Sequence, residues 1–448
     1  MKKFREFLNS EFFMLSIYLL GFLIWFFEFS TLLSITLIFL VINVIIFSKS
    51  GTKSLVPLLF ITVTSNVPGD LVYMTSVDDI FKDINMLISL LILVLAVIEL
   101  IIYFLINRRK NAKPKFWIGF VLIVISFILS GTRQADTIIF TDYFSDSLFF
   151  MIAILIYLLF ALTTVNEDSR YLSKAFLYLG VYISVQTFVW YIYYFDINAL
   201  EVLRPSLKWG SGNAGALIML LAMPLGGYLY LKKNNIIYFF LTRLCLIAIF
   251  LSTSRGAILC SIPLLIAIDI VVYLKVEDKL KYKTHYSGTI AFILMLIVAN
   301  YTLVESMVEN VVIRFFTQTG SLNEYSSNRI FLYDEAIKIF FNHPVLGIGT
   351  AFSPLVTPEM IWNPWYHNTV LDVMVSLGVV GLIAFIFHYY QKYKFFIKNR
   401  KDLFVLFGYL GIIGSGLYGL IDVTYFNYIW LFIFMIMSGV LEGVVDSK

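Results

Sequence analysis

Long apolar runs, separated by short polar segments, fill most of the chain. Many of them approach the 20 or so residues that an α-helix needs to cross the hydrocarbon core of a bilayer. Their approximate bounds are 11–29, 31–47, 54–67, 85–107, 115–131, 147–163, 173–195, 213–231, 236–253, 256–274, 287–303, 368–389, 403–421 and 424–441. The third run is short and ends in SNVPGD, which is typical of a broken or re-entrant helix. The pattern predicts an all-α, polytopic integral membrane protein with about 14 (range about 12 to 14) transmembrane helices.

Composition agrees with this interpretation. Of the 448 residues, 60% are hydrophobic and only 14% are charged, and a soluble protein of this length could not bury so much apolar surface. The first run is not a removable signal peptide, because it lacks an A-x-A-like cleavage site and another run follows at once. Cys245 and Cys260 lie inside apolar runs, so neither a disulfide framework nor a cysteine metal site is predicted.

The positive charges predict the orientation of the chain. With a cytoplasmic N-terminus, 24 of the 33 Lys and Arg residues fall in inner segments, eight fall outside, and Arg243 lies within an apolar run. Because positive residues concentrate on the cytoplasmic side of membrane proteins, we expect both termini in the cytoplasm. The one large polar segment, residues 304–366, is then an extracytoplasmic loop. We expect the whole chain, 1–448, to form a single membrane domain.

The loop contains a predicted amphipathic helix that begins near Arg329, in the sequence NRIFLYDEAIKIFF. A helical period places five of its apolar side chains on one face: Ile330, Tyr333, Ile337, Phe340 and Phe341. Pro344 stops the helix. The following LGIGT sequence predicts a flexible turn.

The predicted outer face collects side chains that suit an anionic substrate. They are Arg133, Arg204, Lys208, Arg255, Arg314, Arg329, Lys338, His343 and His367. Two of them lie at the membrane boundary, Arg255 between two apolar runs and His367 at the start of another. An ionisable group at such a depth is costly and usually has a partner or a function.

Each of these residues also has a purely structural interpretation. Arg255 could snorkel to lipid phosphates and anchor its helix. His367 could form an interfacial hydrogen bond beside the neighbouring tryptophan. Arg329 could pair on the surface with Asp334 or Glu335, although an Arg at a helix start opposes the helix dipole.

Two kinds of chemistry lack a sequence signal. The aspartates of the outer loops form no compact D-x-D pair, so we predict no metal site and no cofactor. The phosphate-binding pattern G-x-x-x-x-G-K-[ST] is also missing from the sequence, which argues against cytosolic nucleotide use. Nothing in the sequence predicts a nucleic-acid partner.

An ordered set of segments resembles a known family. LSTSRGAIL, NRIFLYDEAIKIFFNHPVLGIGTAF and WYHNTVLDVMVSLGVVGL are together similar to the core of the O-antigen ligase and Wzy-type repeat-unit polymerase superfamily. GSGNAGALIMLLAMPLG, from Gly210, resembles the Asn-containing helix start that precedes that core. The resemblance covers residues 205–390. The earlier apolar runs match only in hydrophobic character.

The resemblance implies a GT-C-like, metal-independent membrane glycosyltransferase that uses undecaprenyl-diphosphate-linked oligosaccharide. It also implies a place in the bacterial cytoplasmic membrane, with the active site outside and with a flippase and chain-length regulators as partners. The family's catalytic residues correspond to Arg255 and Arg329, as phosphate ligands, and to His367. Further substrate contacts are expected at Asn213, Arg204, Lys208, Tyr366 and Asn368. The family often has an acidic residue where this chain has Ser376, so no role can be given to a carboxylate at that position.

These residue types fit the implied reaction. Paired guanidinium groups stabilise the charge that develops on a diphosphate leaving group, and an imidazole can accept the proton of a sugar hydroxyl. We therefore expect Arg255, Arg329 and His367 to converge around one cavity. The main hypothesis is a polymerase of lipid-linked repeat units for a surface polysaccharide, such as capsule, exopolysaccharide or O-antigen.

Two alternatives remain open at this point. A ligase would use the same donor chemistry with a different acceptor. A lipid-linked oligosaccharide flippase could also have about 14 spans, although transporters tend to carry internal repeats and polar groups near the bilayer midplane.

The orientation can be tested by thiol labelling. A Leu322→Cys variant, made after replacing Cys245 and Cys260 by Ala, should react with a membrane-impermeant maleimide in intact cells, because we place residues 304–366 outside. Labelling that occurs only after permeabilisation would contradict both the orientation and the site derived from it.

Overall fold

The structure is a computed structural model in which most of the chain can be described. The described residues are 2–65, 83–110, 112–131, 140–164, 168–194, 205–302, 304–305, 308–309, 312, 329–349 and 366–446. Helices account for nearly all regular structure in these ranges, and a single isolated β-bridge joins Ser206 to Ser211. The predicted all-α class is confirmed for this part of the chain.

The N-terminal half contributes eight helices to the described structure. They are α1 (Lys2–Leu8), α2 (Glu11–Phe26), α3 (Thr31–Phe47), α4 (Leu55–Val63), α5 (Ile84–Asn107), α6 (Trp117–Gly131), α7 (Phe140–Thr163) and α8 (Ser169–Tyr194).

The C-terminal half contributes nine more within the same described ranges. They are α9 (Gly212–Ala222), α10 (Pro224–Lys233), α11 (Ile236–Leu251), α12 (Arg255–Lys275), α13 (Lys279–Ala299), α14 (Arg329–Asn342), α15 (Thr369–Asn399), α16 (Leu403–Tyr418) and α17 (Tyr428–Asp446).

Several helices have the length and composition of membrane spans. Within the described residues, six are long and apolar enough to cross a bilayer, and a seventh span results if α1 and α2, bent by 55° from one another, count as one. Six shorter apolar helices accompany them. The structure is therefore that of a multi-pass membrane protein, whereas the number 14 stays a prediction.

The centre of the bundle is the span formed by α9 and α10. The two helices follow each other without a turn, because Met223 keeps right-handed helical angles ahead of Pro224. Of its most apolar stretch, 94% is buried within the protein, and it packs against α8, α11, α12 and α16. Gly411 of α16 allows this contact, since a Cβ there would lie 2.2 Å from the carbonyl oxygen of Leu221. The candidate site lies at the Gly212 end of this span.

An ion pair holds α12 against α11. Arg243, the basic residue that the sequence places within an apolar run, donates to Asp269 Oδ1 at 2.5 Å, and its guanidinium lies 3.4 Å from the ring centroid of Phe239. A buried charge needs such a partner in an apolar environment. This pair orients the helix that begins with Arg255.

The structure confirms where the amphipathic helix begins, but a different face of it is buried from the one predicted. α14 begins at Arg329, as predicted. Its buried side chains are Leu332, Ala336 and Ile339. Of the predicted apolar face, Ile330, Ile337 and Phe341 are 49%, 43% and 72% exposed.

The prediction of the face was wrong because α14 has apolar side chains on both sides. The face with the smaller side chain, Ala336, lies against α15, where it meets Val375 and Tyr366. The other apolar face remains exposed beside a polar edge in which Lys338 bonds to Asp334 and Glu335. Such a helix suits a membrane surface.

The segment that follows α14 fills a break in α15. Gly378 has φ +64° and interrupts the helix, which leaves backbone groups without their helical partners. Ile348 N donates to Val375 O at 2.8 Å, and Gly349 N donates to Ser376 O at 3.0 Å. In return, Val379 N donates to the carbonyl oxygen of Pro344 at 2.8 Å. We call this exchange of hydrogen bonds the backbone clamp.

The backbone clamp corrects the prediction of a flexible turn at LGIGT. Gly347 is buried and has φ +67°, and a Cβ there would lie 2.3 Å from the oxygen of Val375. A Cβ on Gly378 would lie 2.4 Å from the oxygen of Val345. Glycine is needed at both positions by conformation and by space, so the turn is a fixed contact that holds α14 on α15.

We predict that Gly347→Ala loosens α14. The added Cβ both strains a left-handed residue, at a cost of about 1–3 kcal/mol, and collides with the α15 backbone. In detergent-purified protein, trypsin should cut at Lys338 roughly ten times faster. Gly288→Ala is the matched control, because no atom lies within 4 Å of its Cβ position. Equal cleavage rates in all three proteins would show that the backbone clamp does not hold α14.

Candidate active site

The candidate site is organised around Asp422, which lies in the turn between α16 and α17 and is 7% exposed. Its Oδ1 is 2.8 Å from His367 Nδ1 and also accepts the backbone N–H of Val423 at 2.8 Å. Its Oδ2 accepts Asn213 Nδ2 at 2.9 Å and the hydroxyl of Tyr418 at 2.8 Å. One carboxylate thus joins the starts of α9 and α15 to the end of α16.

Arg329 approaches the same carboxylate from α14. Its Nη1 donates to the carbonyl oxygen of Ile421 at 2.5 Å, and its Nη2 lies 3.8 Å from Asp422 Oδ2. The alternative pairing of Arg329 with Asp334 or Glu335 is therefore not the one formed. A guanidinium group carries five N–H donors, so these contacts leave donors for an anionic substrate.

His367 adopts a backbone conformation that histidine rarely uses. Its φ is +51°, in the left-handed region where residues other than glycine are uncommon and cluster at functional sites. Tyr333 of α14 holds the residue by donating to its carbonyl oxygen at 3.2 Å. Asn368 caps α15 by accepting the N–H groups of Val370 and Leu371. These contacts fix the position from which the imidazole reaches Asp422.

Both ends of the Asn368 amide form hydrogen bonds within the protein. The oxygen caps α15, and Nδ2 donates to the carbonyl oxygen of Leu420 at 2.9 Å. The predicted substrate residue therefore ties the start of α15 to the Asp422 turn.

Arg255 begins α12 beside this turn. Thr253 is left-handed, with φ +55°, and starts the sharp connection from α11. The hydroxyl of Ser254 lies 3.1 Å from that of Tyr418, which in turn bonds to Asp422. The structure thus brings the start of α12 to the elements that hold Arg329 and His367.

A cavity of about 200 Å³ opens beside Asp422. It is lined by Ser211, Asn213, Ala214, Leu217, His367, Tyr418, Asp422, Val423, Phe426 and Asn427. Of the predicted site residues, His367 and Asn213 line it, whereas Arg255 and Arg329 are not among its lining residues. We call it the Asp422 cavity.

Three predicted substrate residues lie elsewhere or outside the described structure. Lys208 pairs with Glu28 on the surface. Tyr366 is 1% exposed and packs under α14, while its backbone N–H donates to Asp372 Oδ1 at 2.9 Å. Arg204 lies outside the described residues, as do Arg133 and Arg314 among the other outer-face cations.

The ionisation of Asp422 follows from its partners. Burial alone would raise the pKa of this carboxyl, but the hydrogen bond and charge of His367, the charge of Arg329 and the hydrogen bond from Tyr418 oppose it. Together they hold the pKa below its ordinary value of 3.8. Asp422 is therefore a carboxylate at physiological pH. No group of three or more His, Cys, Asp or Glu side chains that could hold a metal ion occurs among the described residues.

Sequence reasoning missed Asp422. It occurs as a lone acidic residue in GLIDVTYF, between the last two apolar runs. The signal was the cost of placing an ionisable group at a membrane boundary, the same signal that singled out Arg255 and His367. A carboxylate on the same predicted outer face as these cations could have been expected to pair with one of them.

A comparison with known families matches part of the chain that contributes to this region. Residues 240–386 match the O-antigen ligase family model. The predicted resemblance is thereby confirmed over 147 of the 448 residues. The matched segment runs from α11 into α15 and contains Arg255, Arg329 and His367, whereas Asp422 follows it. No curated protein matches the chain.

We predict that Asp422→Asn weakens the fold at neutral pH and removes part of its acid sensitivity. A carboxylate with a lowered pKa stabilises the folded state above about pH 4, and this contribution is lost as the pH falls through the folded-state pKa. The asparagine amide would face the groups that donate to Asp422 with either its NH₂ group, which cannot accept, or its oxygen, which is a weaker acceptor than a carboxylate. The free energy of unfolding should fall by about 3 kcal/mol. Thermal unfolding in detergent from pH 3 to 7 measures both effects.

The matched control for this measurement is Asp334→Asn, because the Asp334 side chain is 63% exposed. It should unfold like the wild type at every pH. An Asp422→Asn variant with the wild-type midpoint at pH 7 would contradict the central place given to this carboxylate.

Proposed function

We propose that the protein is a membrane glycosyltransferase that polymerises lipid-linked oligosaccharide repeats into a surface polysaccharide. It would transfer a glycan from an undecaprenyl-diphosphate carrier to a sugar hydroxyl of another lipid-linked repeat unit, on the outer face of the cytoplasmic membrane. The O-antigen ligase match supports the class of reaction. The observation that carries the proposal is the bond between His367 Nδ1 and the buried carboxylate of Asp422.

That bond determines which nitrogen can act as a base. A carboxylate only accepts hydrogen bonds, so Nδ1 carries the proton in the neutral imidazole and Nε2 carries the lone pair. As the acceptor oxygen attacks the anomeric carbon, Nε2 takes the hydroxyl proton. The resulting imidazolium is stabilised by the adjacent carboxylate, as in other acid–base pairs oriented by a buried aspartate.

The bond that breaks joins the anomeric carbon to the diphosphate oxygen. Its electron pair leaves with the diphosphate, and negative charge grows on those oxygens. Arg255 and Arg329 would stabilise this charge, since guanidinium groups bind phosphate oxygens in bidentate fashion. Removal of one such preorganised donor typically lowers the rate by about 100- to 1000-fold. The chemistry requires no metal ion in this proposal.

The exposed apolar side of α14 suits a substrate with a prenyl tail. Arg329 lies at one end of the helix, and Ile330, Ile337 and Phe341 run away from it along the exposed face. If this face rests on the outer leaflet, a diphosphate at Arg329 has its lipid tail beside apolar side chains. This placement agrees with the orientation that the positive charges predict, in which both termini are cytoplasmic and residues 304–366 lie outside.

A ligase is the second candidate, because the matching family is described as an O-antigen ligase. The two reactions share the donor and differ in the acceptor. Cells that lack the protein distinguish them: loss of a polymerase leaves single repeat units on the final acceptor, whereas loss of a ligase leaves long chains on the undecaprenyl carrier. Accumulation of repeat units on the cytoplasmic side would instead indicate a flippase.

We predict that His367→Asn abolishes transfer while leaving the fold and donor binding intact. Asparagine tolerates left-handed angles, and its amide can donate to Asp422 in place of Nδ1, but it has no nitrogen that accepts a proton. Polymer formation should fall by at least about 100-fold, the lower end of a general base contribution. The assay is surface polysaccharide on gels from cells that lack the wild-type copy, with membrane levels matched.

His343→Asn is the control, since His343 is exposed at the end of α14 and undergoes the same chemical change. It should give polymer of normal amount and length. Normal polymer from His367→Asn would eliminate the general-base role, and with it the main support for the proposed function.

A further inference from the structure

We propose that the Asp422 cavity is the acceptor subsite and that it holds one neutral pyranose ring, the terminal sugar of the acceptor. Asn427 and Ser211, to which the sequence gave no role, would contact this ring. The inference rests on the glycosyltransferase function proposed above. It adds the place, the size and the chemical class of the group that receives the glycan.

The charge of the lining separates this cavity from the diphosphate site. Asp422 contributes a carboxylate, and none of the described residues that line the cavity is Lys or Arg. The lining therefore offers a diphosphate no Lys or Arg partner, whereas a neutral sugar needs none. Because His367 also lines the cavity, a sugar inside it has its hydroxyl next to the base.

The volume limits what the cavity can hold. About 200 Å³ is smaller than the roughly 300–1,000 Å³ of pockets that take drug-sized ligands. One sugar ring needs space of this order. The remaining sugars of a repeat unit must lie outside the cavity, so the enzyme would recognise the acceptor mainly through its terminal residue.

The two asparagines of the lining offer hydrogen-bonding groups of known identity. Asn427 Oδ1 accepts the backbone N–H of Trp430 at 3.0 Å, so the opposite side of this amide is its NH₂ group. Asn213 Nδ2 donates to the carboxylate of Asp422, which only accepts, so its opposite side is the oxygen. A fixed donor and a fixed acceptor therefore line one cavity, and a sugar hydroxyl can bond to both.

The amide nitrogen of Asn427 makes no hydrogen bond to any other described part of the chain. Asn427 is partly exposed, so this nitrogen can reach a ligand, and a sugar hydroxyl could accept from it. The apolar members of the lining, Ala214, Leu217 and Phe426, suit the C–H faces of a sugar ring. The combination matches the amphipathic character of a pyranose.

Two variants test the subsite without disturbing the fold. Asn427→Ser keeps a side-chain oxygen that can cap α17, because serine is a good N-cap residue, but removes the amide donor. Ser211→Trp places a large side chain at the mouth of the cavity, where Ser211 is exposed. Ser206→Trp is the matched control, because Ser206 is the exposed partner of Ser211 in the isolated bridge and does not line the cavity.

The probe is the repeat-unit oligosaccharide released by mild acid from the lipid-linked intermediate of cells lacking the protein. This oligosaccharide can accept a glycan but cannot donate one. With purified full-length protein in lipid and a saturating lipid-linked donor, Asn427→Ser should raise the acceptor KM by about 3- to 10-fold, the effect of one hydrogen bond, with kcat nearly unchanged. Ser211→Trp should raise it further, and Ser206→Trp should not change it.

Equilibrium dialysis of the same oligosaccharide against the four proteins separates the subsite from the chemistry. Weaker binding by Asn427→Ser and Ser211→Trp supports the subsite, even if the wild-type protein transfers nothing and the proposed function fails. Equal binding by all four proteins, or an unchanged KM in both cavity variants, overturns the subsite while leaving any measured transferase activity in place.

Discussion

The carboxylate of Asp422 is the interaction on which the candidate site depends. Four separate elements meet at its two oxygens, through His367, Asn213, Tyr418 and Arg329. A buried charge in a membrane protein is tolerated only when its partners offset the lost hydration, so these contacts have to form together. The same requirement that stabilises the charge brings an imidazole and a guanidinium group to one place.

Backbone contacts between α15 and the segment after α14 also support this arrangement. The clamp between the Gly347 segment and the break at Gly378 holds α14 against α15. Because Arg329 begins α14 and His367 precedes α15, the clamp fixes the distance between the two ends of the proposed reaction. Close approach of two backbones requires residues without a Cβ, and this explains the glycines better than flexibility does.

The arrangement brings two kinds of contact to one carboxylate. Arg329 and the start of α12, which carries Arg255, lie beside the Asp422 turn, and Asp422 also lines the cavity, whose described lining contains no Lys or Arg. The proposed transfer must bring an anionic donor and an uncharged acceptor to a common point. A single carboxylate that pairs with Arg329, bonds to His367 and lines the cavity can serve both ligands. The site therefore requires few polar residues in a chain that is 60% hydrophobic.

The sequence by itself determined where the helices lie. Apolar runs of this length must form helices in a bilayer, since every backbone group needs an internal partner, and helices such as α12 and α15 begin within a residue or two of their predicted positions. The sequence also predicted the start of α14 at Arg329 and the family resemblance over 205–390, which the family model confirms over 240–386. Arg255 and His367 were singled out by their unusual depth, and their expected roles came from the family resemblance.

Only the tertiary structure decided how these elements meet. The period of α14 allows either apolar face to be buried, and the choice of Ala336 over Ile337 depends on the shape of α15. The break at Gly378 exists because a distant segment replaces the lost helical hydrogen bonds. Helix packing alone decided the partners of Asp422, since it brings this residue to Asn213, which is 209 residues away in sequence. Hydrogen-bond partners at such separations depend on the order of helices in the bundle, and no local pattern encodes that order.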